Sequence, residues 1–311
     1  MSFTSIVKNE ISNLNIEKTE AIAELSAIVI NSEISLNKIK IQTENSSVAK
    51  RVFSLFKLIF DINPKIVIRK GYNYNKNMIY FIEINYNIIK ILEELALYKQ
   101  NKILPVPIEY IVDDMDTMRA YLRGIFIAVG SVNDPKKSRY HLEFLFNTKR
   151  YADFASYILN EFYLNSKLIK RENKYMVYIK EAEKIGDFLR IINASNAVMY
   201  YEDIRIYRDH KNMTNRLNNM EQANVDKIIA NADKQTSDIQ LILNNGGMDL
   251  LDEKEQVVAN FRLKYPDASL LELSEIISYE TGNVISKSGV NHRMNKIKNL
   301  AKKLKEFKEG K

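Results

Sequence analysis

The sequence contains no cysteine and no tryptophan, only three histidines, and few residues that interrupt regular structure, with 9 Gly and 5 Pro among 311 residues. The absence of cysteine excludes disulfides, thiolate metal sites and cysteine nucleophiles, and it is typical of a reducing compartment. His141, His210 and His292 lie too far apart in sequence for metal-ligand spacing, so we expect no metal. No Gly-rich loop suited to phosphate is present, and we expect no cofactor.

Long apolar segments are also missing. No basic-then-apolar leader and no run of about 18 apolar residues is present, which predicts a cytoplasmic protein without a membrane partner. Positive charge is in excess, since the formal net charge is +7. Residues 286–311 alone hold nine Lys and Arg against Glu306 and Glu309. The net charge of these last 26 residues, 9 − 2 = +7, therefore equals that of the whole chain. This segment is the candidate contact for a polyanion.

The sequence is duplicated, with one copy in residues 21–100 and the other in residues 118–195. IFDINPKIVIRK (59–70) aligns without a gap to EFYLNSKLIKRE (161–172) at an offset of 102 residues. Each copy begins with a helix rich in small residues, at 21–33 and at 118–130. Two similar halves predict a domain with a pseudo-twofold axis.

Hydrophobic periodicity predicts a mixture of helices and strands, which is an α+β domain. Helices are expected at 3–14, 21–33, 45–60, 86–98, 118–130, 151–163 and 182–194. Strands are expected at 37–43, 65–70, 78–84, 141–147, 166–172 and 174–181, with a connector at 103–116. Residues 196–243 predict one long helix or two, and Asn244-Asn245-Gly246-Gly247 predicts a turn before a smaller C-terminal domain.

Small residues repeat at a spacing of four in both first helices. Ala23 and Ala27 in the first copy match Ala120 and Gly124 in the second. Small side chains one turn apart let two helix backbones approach closely, so the copies are expected to meet through this pair.

The same helices carry a motif resemblance. LSAIVINSE (25–33) and LRGIFIAVG (122–130) resemble two degenerate copies of the LAGLIDADG motif of homing endonucleases. In that family the penultimate acid of each motif holds a divalent metal against the scissile phosphate. The matching positions here are Ser32 and Val129, which are not carboxylates. Glu33 comes one residue late, about 100° further around a helix, so we interpret nuclease activity as absent.

The resemblance extends across almost the whole chain to the WhiA family of bacterial regulators. The matching blocks are MSFTSIVKNEI, AELSAIVINSEIS, YLRGIFIAVGSVNDP, YHLEF, LIKRENKYMVYIKEAEKI, EDIRIYRD, NRLNNMEQAN and ISKSGVNHRMNKI. This resemblance implies a nucleoid-associated, non-enzymatic DNA-binding protein that acts in cell division and chromosome segregation and, in sporulating relatives, in developmental transcription. The implied fold is a duplicated LAGLIDADG-like αββαββα pseudo-twofold domain followed by an all-α helix-turn-helix domain. The expected domains are a first copy with the N-terminal segment (1–117), a second copy (118–205), a helical linker (206–247) and a helix-turn-helix domain (248–311).

The C-terminal residues independently predict three helices. LLDEKEQVVANFRLKY ends at Pro266, LLELSEIIS follows Asp267 and Ser269 as candidate caps, and a third helix follows Ser286 or Ser288 and runs to about residue 304. On a helical wheel the third helix has one apolar stripe, formed by Val290, Met294, Ile297, Ala301 and Leu304.

The remaining surface of the third helix suits double-stranded DNA, because amides can bond base edges while basic groups bind guanine or phosphate. The candidate DNA-binding residues are Lys287, Ser288, Asn291, His292, Arg293, Asn295, Lys296, Asn299, Lys302 and Lys303. The alternative is a solvated amphipathic helix whose charge serves solubility.

Three other groups of charged residues have two interpretations each. Asp113, Asp114 and Asp116 precede a predicted helix, and they either cap its start or form a metal-binding cluster. Lys136, Lys137 and Arg139 form either a solvated loop or a phosphate contact. The sequence does not decide which sheet face is occupied by the basic residues of the candidate strands, Lys38, Lys40, Arg69, Lys70, Lys167, Lys170 and Arg171. The duplicated domain therefore offers either further DNA contact or a surface for a protein partner.

Overall fold

The computed structural model describes residues 1–70, 78–137 and 139–309 and divides into two compact units, Met1–Asp209 and His210–Lys311. The boundary lies within one continuous helix, α8 (Ser195–Leu243), where the sequence left open one helix or two. None of the described helices is long and apolar enough to cross a membrane.

The first unit contains two copies of the same αββαββα arrangement. After α1 (Phe3–Ile11), the first copy comprises α2 (Lys18–Ile30), β1 (Glu33–Ser35), β2 (Lys38–Thr43), α3 (Ser46–Phe60), β3 (Lys65–Lys70), β4 (Met78–Ile84) and α4 (Ile88–Glu94). A small hairpin of β5 (Tyr98–Lys99) and β6 (Lys102–Ile103) and a 3₁₀ turn (Glu109–Val112) connect the copies. The second copy comprises α5 (Met115–Val129), β7 (Gly130–Val132), β8 (Leu142–Phe146), α6 (Lys149–Glu161), β9 (Lys167–Arg171), β10 (Lys174–Ile179) and α7 (Ala182–Ile191).

The two sheets have equivalent strand orders, β1-β2-β4-β3 and β7-β8-β10-β9, and every pairing is antiparallel. Alternation of side chains decides which face of each sheet is buried. In the first sheet Ile39 of β2 lies opposite Ile84 of β4, and Ile41 lies opposite Ile82, and all four are buried. The duplication predicted from the sequence and the αββαββα order implied by the family resemblance are therefore confirmed.

The first copy departs from the sequence prediction at its last helix. The helix predicted at 86–98 ends at Glu94, because the following backbone pairs with the connector instead of continuing the helix. The carbonyl of Leu97 accepts from the amide of Leu104 at 2.8 Å, and that of Ala96 accepts from Ile108 at 3.0 Å. Ala96 adopts a left-handed conformation (φ 59°), which ends helical geometry. The three-residue strands β1 and β7 were also not predicted.

Helix α5 begins where the sequence places the Asp113–Asp116 group. Asp114 is the N-cap, and its carboxylate accepts hydrogen bonds from the backbone amides of Asp116 and Thr117, both at 2.8 Å. The Thr117 amide is the main cause of the lowered pKa of Asp114. The capping interpretation is confirmed.

The two copies meet through α2 and α5, as the small-residue spacing predicts. Ala23, Ala27, Ala120 and Gly124 are buried at this contact. A Cβ at Gly124 would lie 2.3 Å from the carbonyl oxygen of Glu24, which shows that the two backbones nearly touch.

A buried ion-pair cluster crosses the same contact. The carboxylate of Glu24 in α2 accepts from Nε and Nη2 of Arg51 in α3, at 2.7 and 2.9 Å. It also accepts from Nε of Arg123 in α5 at 2.6 Å. Glu24 and Arg123 are completely buried, and Glu20 binds Arg123 Nη2 at 3.1 Å from the cluster's edge. One carboxylate thus connects three helices of both copies.

The second unit is formed by three helices and the end of α8. They are α9 (Glu253–Lys264), α10 (Leu270–Thr281) and α11 (Lys287–Glu309), preceded by a 3₁₀ turn (Met248–Leu250). Their core includes Val258, Leu273 and Met294, and Ile239 and Ile242 of α8 belong to the same core. Part of the segment predicted as a linker, 206–247, therefore packs with the helices that follow it, while the predicted domain boundaries stay predictions.

Candidate nucleic-acid interface

Helix α10, a short turn and helix α11 follow one another in the order of a helix-turn-helix. Ser269 caps α10 in a reciprocal capping box with Glu272, and Gly282 ends it in a left-handed conformation (φ 69°). Ser286 caps α11, since its hydroxyl accepts from the Gly289 amide at 3.2 Å. Of the candidate caps, Ser269 and Ser286 therefore hold the positions, while Asp267 and Ser288 do not.

The turn is attached to α10 by one serine. Ser278 Oγ accepts from the amide of Ile285 at 2.9 Å and lies 3.3 Å from the Ile285 carbonyl oxygen. In the loop before α10, the carbonyls of Tyr265, Pro266 and Ala268 accept from the buried guanidinium of Arg262, the last at 2.6 Å. These bonds fix the directions in which α10 and α11 leave their loops.

The apolar stripe predicted for α11 forms its core face. Val290, Met294, Ile297 and Ala301 are buried, and Leu304 packs against them. The candidate DNA-binding residues therefore lie on the remaining surface of the helix. Nine of the ten are exposed, and Arg293 is partly buried beside the stripe.

The exposed residues of α11 fall into three groups by their surroundings. Ser288, His292 and Asn299 project directly away from the core, with Lys302 and Lys303 further along the helix. Asn291 and Asn295 lie towards α8, where they line a groove with Asn231 and Lys234. Lys296 lies towards α9, on the opposite shoulder.

The ammonium of Lys296 is already paired with protein carboxylates. Its Nζ lies 3.2 Å from Glu255 and 3.7 Å from Asp252, the two residues of the capping box that begins α9. The hydrogen bond to Glu255 raises the pKa of Lys296. Lys302 lies 3.7 Å from Glu306 on the same helix, a weaker surface pair. Of the basic candidates, Lys296 is the most firmly held within the protein.

The basic residues predicted on the strands separate onto two faces of the sheets. Lys38 and Lys40 alternate with the buried Ile39 and Ile41, so they lie on the outer face. Strand pairing places Arg69, Lys167 and Arg171 on the equivalent outer faces, whereas Lys70 and Lys170 have the opposite orientation. Lys38 is paired with Glu83 at 3.0 Å and Lys40 with Glu33 at 3.5 Å, which neutralises part of the first surface.

The two degenerate motif positions lie at the ends of α2 and α5. Ser32 follows the last turn of α2 and donates to the Val29 carbonyl at 2.6 Å, and Val129 is the last residue of α5. From the sequence, Glu33 was expected on the helix, about 100° beyond the motif position. In the structure it is instead the first residue of β1. Its side chain is 74% exposed and bound to Lys40, so it does not take the position of a motif acid.

A cleft of about 580 Å³ lies at these helix ends and is lined by Lys8 and Lys40 as well as by Glu33 and Glu44. Lys8 of α1, Asn31, Ser32 and Asn147 are among its lining residues. Burial lowers the pKa of the Lys8 ammonium to about 8. Nothing in residues 1–70, 78–137 and 139–309 groups three His, Cys, Asp or Glu side chains in metal-binding positions.

Two features of the structure were not predicted from the sequence. The Glu24–Arg51–Arg123 cluster had a signal, since two charged residues stand within otherwise apolar, small-residue helices. The approach of α8 to α11 had none, because the contact joins residues about 60 positions apart without a shared motif.

Three family models match the chain in the order of these structural parts. They are the WhiA N-terminal LAGLIDADG-like domain at residues 18–98, the WhiA LAGLIDADG-like domain at 118–211 and the WhiA C-terminal HTH domain at 214–301. The matches and the fold together define a protein that joins a duplicated LAGLIDADG-like domain to a helix-turn-helix domain.

Similar proteins extend over the full length of the chain. The probable cell division protein WhiA of Lactobacillus acidophilus is 41% identical over 312 residues, covering 98% of this chain and 99% of that protein. The protein of the same name from Staphylococcus carnosus is 40% identical over 310 residues, covering 98% of each. The crystal structure of full-length DUF199/WhiA from Thermatoga maritima has the same fold, with a TM-score of 0.59 and 22% identity, covering 97% of this chain and 99% of that one. The chain belongs to the WhiA family.

Proposed function

We propose that this chain is a non-enzymatic regulator that binds double-stranded DNA and reads its sequence with α11. The observation that carries the proposal is the outer face of α11, where Ser288, His292 and Asn299 are exposed beside a core that holds the helix rigidly. Short polar groups on the exposed face of a helix suit base edges in the major groove. Lys302 and Lys303 continue the same surface and suit phosphates.

The cellular process is proposed from the relatives. Proteins about 40% identical over nearly the whole chain are named probable cell division proteins. We propose that this chain also acts in cell division, with chromosome segregation as the associated process, and that it is found at the nucleoid. In a sporulating organism the same activity would extend to developmental transcription.

The test compares an amide pair on α11 with a matched pair elsewhere. Asn295→Ala with Asn299→Ala, made in the full chain, is expected to remove the preference among genomic DNA fragments, since each lost bidentate base contact costs about 1–3 kcal/mol. Asn215→Ala with Asn218→Ala changes two exposed amides on α8 and serves as the control. Competition binding with specific and random duplexes measures both pairs. An unchanged preference in the α11 variant contradicts the assignment.

Two other functions make different predictions in the same measurements. A protein-interaction scaffold would bind all duplexes equally, before and after substitution of α11. A residual nuclease would cleave plasmid DNA with Mg²⁺ and lose that activity on Glu33→Gln. The exposed Glu33 paired with Lys40 and the replacement of both motif acids by Ser32 and Val129 argue against the second function.

A further inference from the structure

Two adjoining grooves lie between residues 224–238 of α8 and the helix-turn-helix. The first, about 440 Å³, is lined by Lys227 and Asn231 of α8 and by Ser269 and Lys287 at the starts of α10 and α11. The second, about 550 Å³, is lined by Asn231 and Lys234 of α8 and by groups on α11. Asn231 lines both, so the two grooves adjoin beside α11, and together they are called the channel.

Lysines border this channel on both sides. Lys227 and Lys234 lie on α8, and Lys287 and Lys298 lie on α11. All four are exposed, and within the part of the chain that the structure describes none has a carboxylate in ion-pair distance. They differ in this respect from Lys296, which Glu255 and Asp252 hold.

Acids are few along the same channel. The residues that line the first groove include no Asp or Glu. The second groove includes Asp233 and Asp238, and Asp238 lies 3.5 Å from Lys305, which neutralises it. The remaining polar lining consists mainly of amides, such as Asn224 and Asn291. Such a surface is favourable for an anion and unfavourable for a cation.

Helical geometry separates the two α8 lysines by two turns on one face. Seven residues correspond to about 10.5 Å along the axis, with a rotation of only about 20°. The pair therefore reaches two different points along a partner, while Asn231 lies between them. Phosphates that recur along one DNA strand fit this spacing better than a single compact anion.

We infer that residues 224–238 of α8 are a second DNA-contacting element, in which Lys227 and Lys234 bind two backbone phosphates beside the bases read by α11. The inference rests on the proposed function, since it presupposes that α11 enters the groove of a duplex. It assigns to α8 a part in affinity and in the placement of α11, because phosphate contacts fix register without carrying sequence information.

The test is a salt series on the full chain with Lys227→Ala and Lys234→Ala combined. Each phosphate contact contributes about 0.9 to the slope of log affinity against log salt, so the double variant is expected to have a slope shallower by about 1.8. The preference among duplexes should be retained. Lys211→Ala with Lys254→Ala removes the same charge from two other exposed lysines and should leave the slope close to wild type. Thermal unfolding of each variant checks that the fold is intact.

The outcomes separate this inference from the proposed function. If the wild-type chain binds no duplex, the proposed function fails, and the α8 element fails with it. If the wild type binds with a preference but the α8 variant has the same salt slope as its control, only the inference is overturned. Loss of preference with an unchanged slope also overturns it, because the lysines would then act on bases and not on phosphates.

Discussion

The contact between α2 and α5 and the surface of α11 use charged residues in opposite situations. At the first, Glu24 and Arg123 are completely buried, and the Glu24 carboxylate pairs with both Arg123 and Arg51. On α11, charged and polar side chains are exposed, and several, such as Lys287 and Lys303, have no ion-pair partner within the described part of the chain. The type of residue therefore does not reveal its role. Burial and pairing do, because a buried charge requires an internal partner and an exposed one stays available to an external partner.

The largest effect is expected from removing the acid at the centre of the buried cluster. Glu24→Leu leaves the guanidinium group of Arg51 without a carboxylate and that of Arg123 with only Glu20 at the edge of the cluster. Breaking a buried pair typically costs about 3–5 kcal/mol. Urea denaturation of the full chain should show this loss in the transition of the first unit. Asp116→Leu removes the partner of Arg119 in an exposed pair and should cost less than about 1 kcal/mol.

A triple variant sharpens the same comparison. Combining Glu24→Leu with Arg51→Met and Arg123→Met replaces the three buried members of the cluster by apolar side chains and leaves only the half-buried Glu20. Such a replacement often restores or exceeds the original stability. Recovery would show that the loss in Glu24→Leu came from uncompensated charge. A triple variant less stable than Glu24→Leu would contradict this account.

A smaller effect is expected where the same two helices touch without charge. In Gly124→Ala the new methyl group would lie 2.3 Å from the Glu24 carbonyl oxygen and 2.8 Å from Ala27 Cβ. Overpacking of this kind costs about 1–3 kcal/mol, against a gain of about 1 kcal/mol in helix propensity.

Gly186→Ala is the matched control for this substitution. There the close atom is Oε1 of Glu202, at the end of a flexible side chain, so the cost should be smaller. Both variants are compared by their denaturation midpoints. Equal destabilisation would show that the backbone approach of α2 and α5 is not the cause.

These contrasts show what the sequence could and could not predict. The duplication, the α2–α5 contact and the core stripe of α11 followed from self-similarity and local spacing, because periodicity and small-residue repeats record which face is buried. The full αββαββα order came from the family resemblance, since periodicity gave no signal for the three-residue strands β1 and β7. Charged residues within the small-residue helices signalled buried charge at Glu24 and Arg123, but no local pattern pairs residues 99 positions apart. The end of α4 depended likewise on hydrogen bonds to a distant connector.

The candidate site was predictable to the same degree. The exposed positions of α11 followed from its apolar stripe, since the polar face lies opposite the core. The pairing of Lys296 with Glu255 did not follow, nor did the face of Lys70, because both depend on tertiary placement and strand register. Whether the ten candidate residues bind DNA stays a prediction.

The smallest effect concerns Lys8, whose charge is neither buried with a partner, as in the Glu24 cluster, nor fully exposed, as on α11. Lys8 is partly buried, yet no carboxylate lies within ion-pair distance of its ammonium in the part of the chain that the structure describes. Burial lowers its pKa from 10.5 to about 8, so the folded state binds this proton more weakly than the unfolded state. The cost is fully present below pH 8 and is relieved as the pH rises towards 10.5, where the unfolded chain also loses the proton.

The stability gained by substituting Lys8 should therefore depend on pH, largest below pH 8 and fading as the pH rises towards 10.5. Lys8→Met is expected to be more stable than the wild type at pH 7, with the difference shrinking between pH 8 and pH 10. Thermal unfolding of both proteins across this range measures the difference, and effects of other titrating groups cancel because both chains share them. Lys50→Met, at an exposed position of α3, is the control and should show no such trend. A constant difference between Lys8→Met and the wild type would mean that the Lys8 ammonium is solvated, like the unpaired lysines of α11.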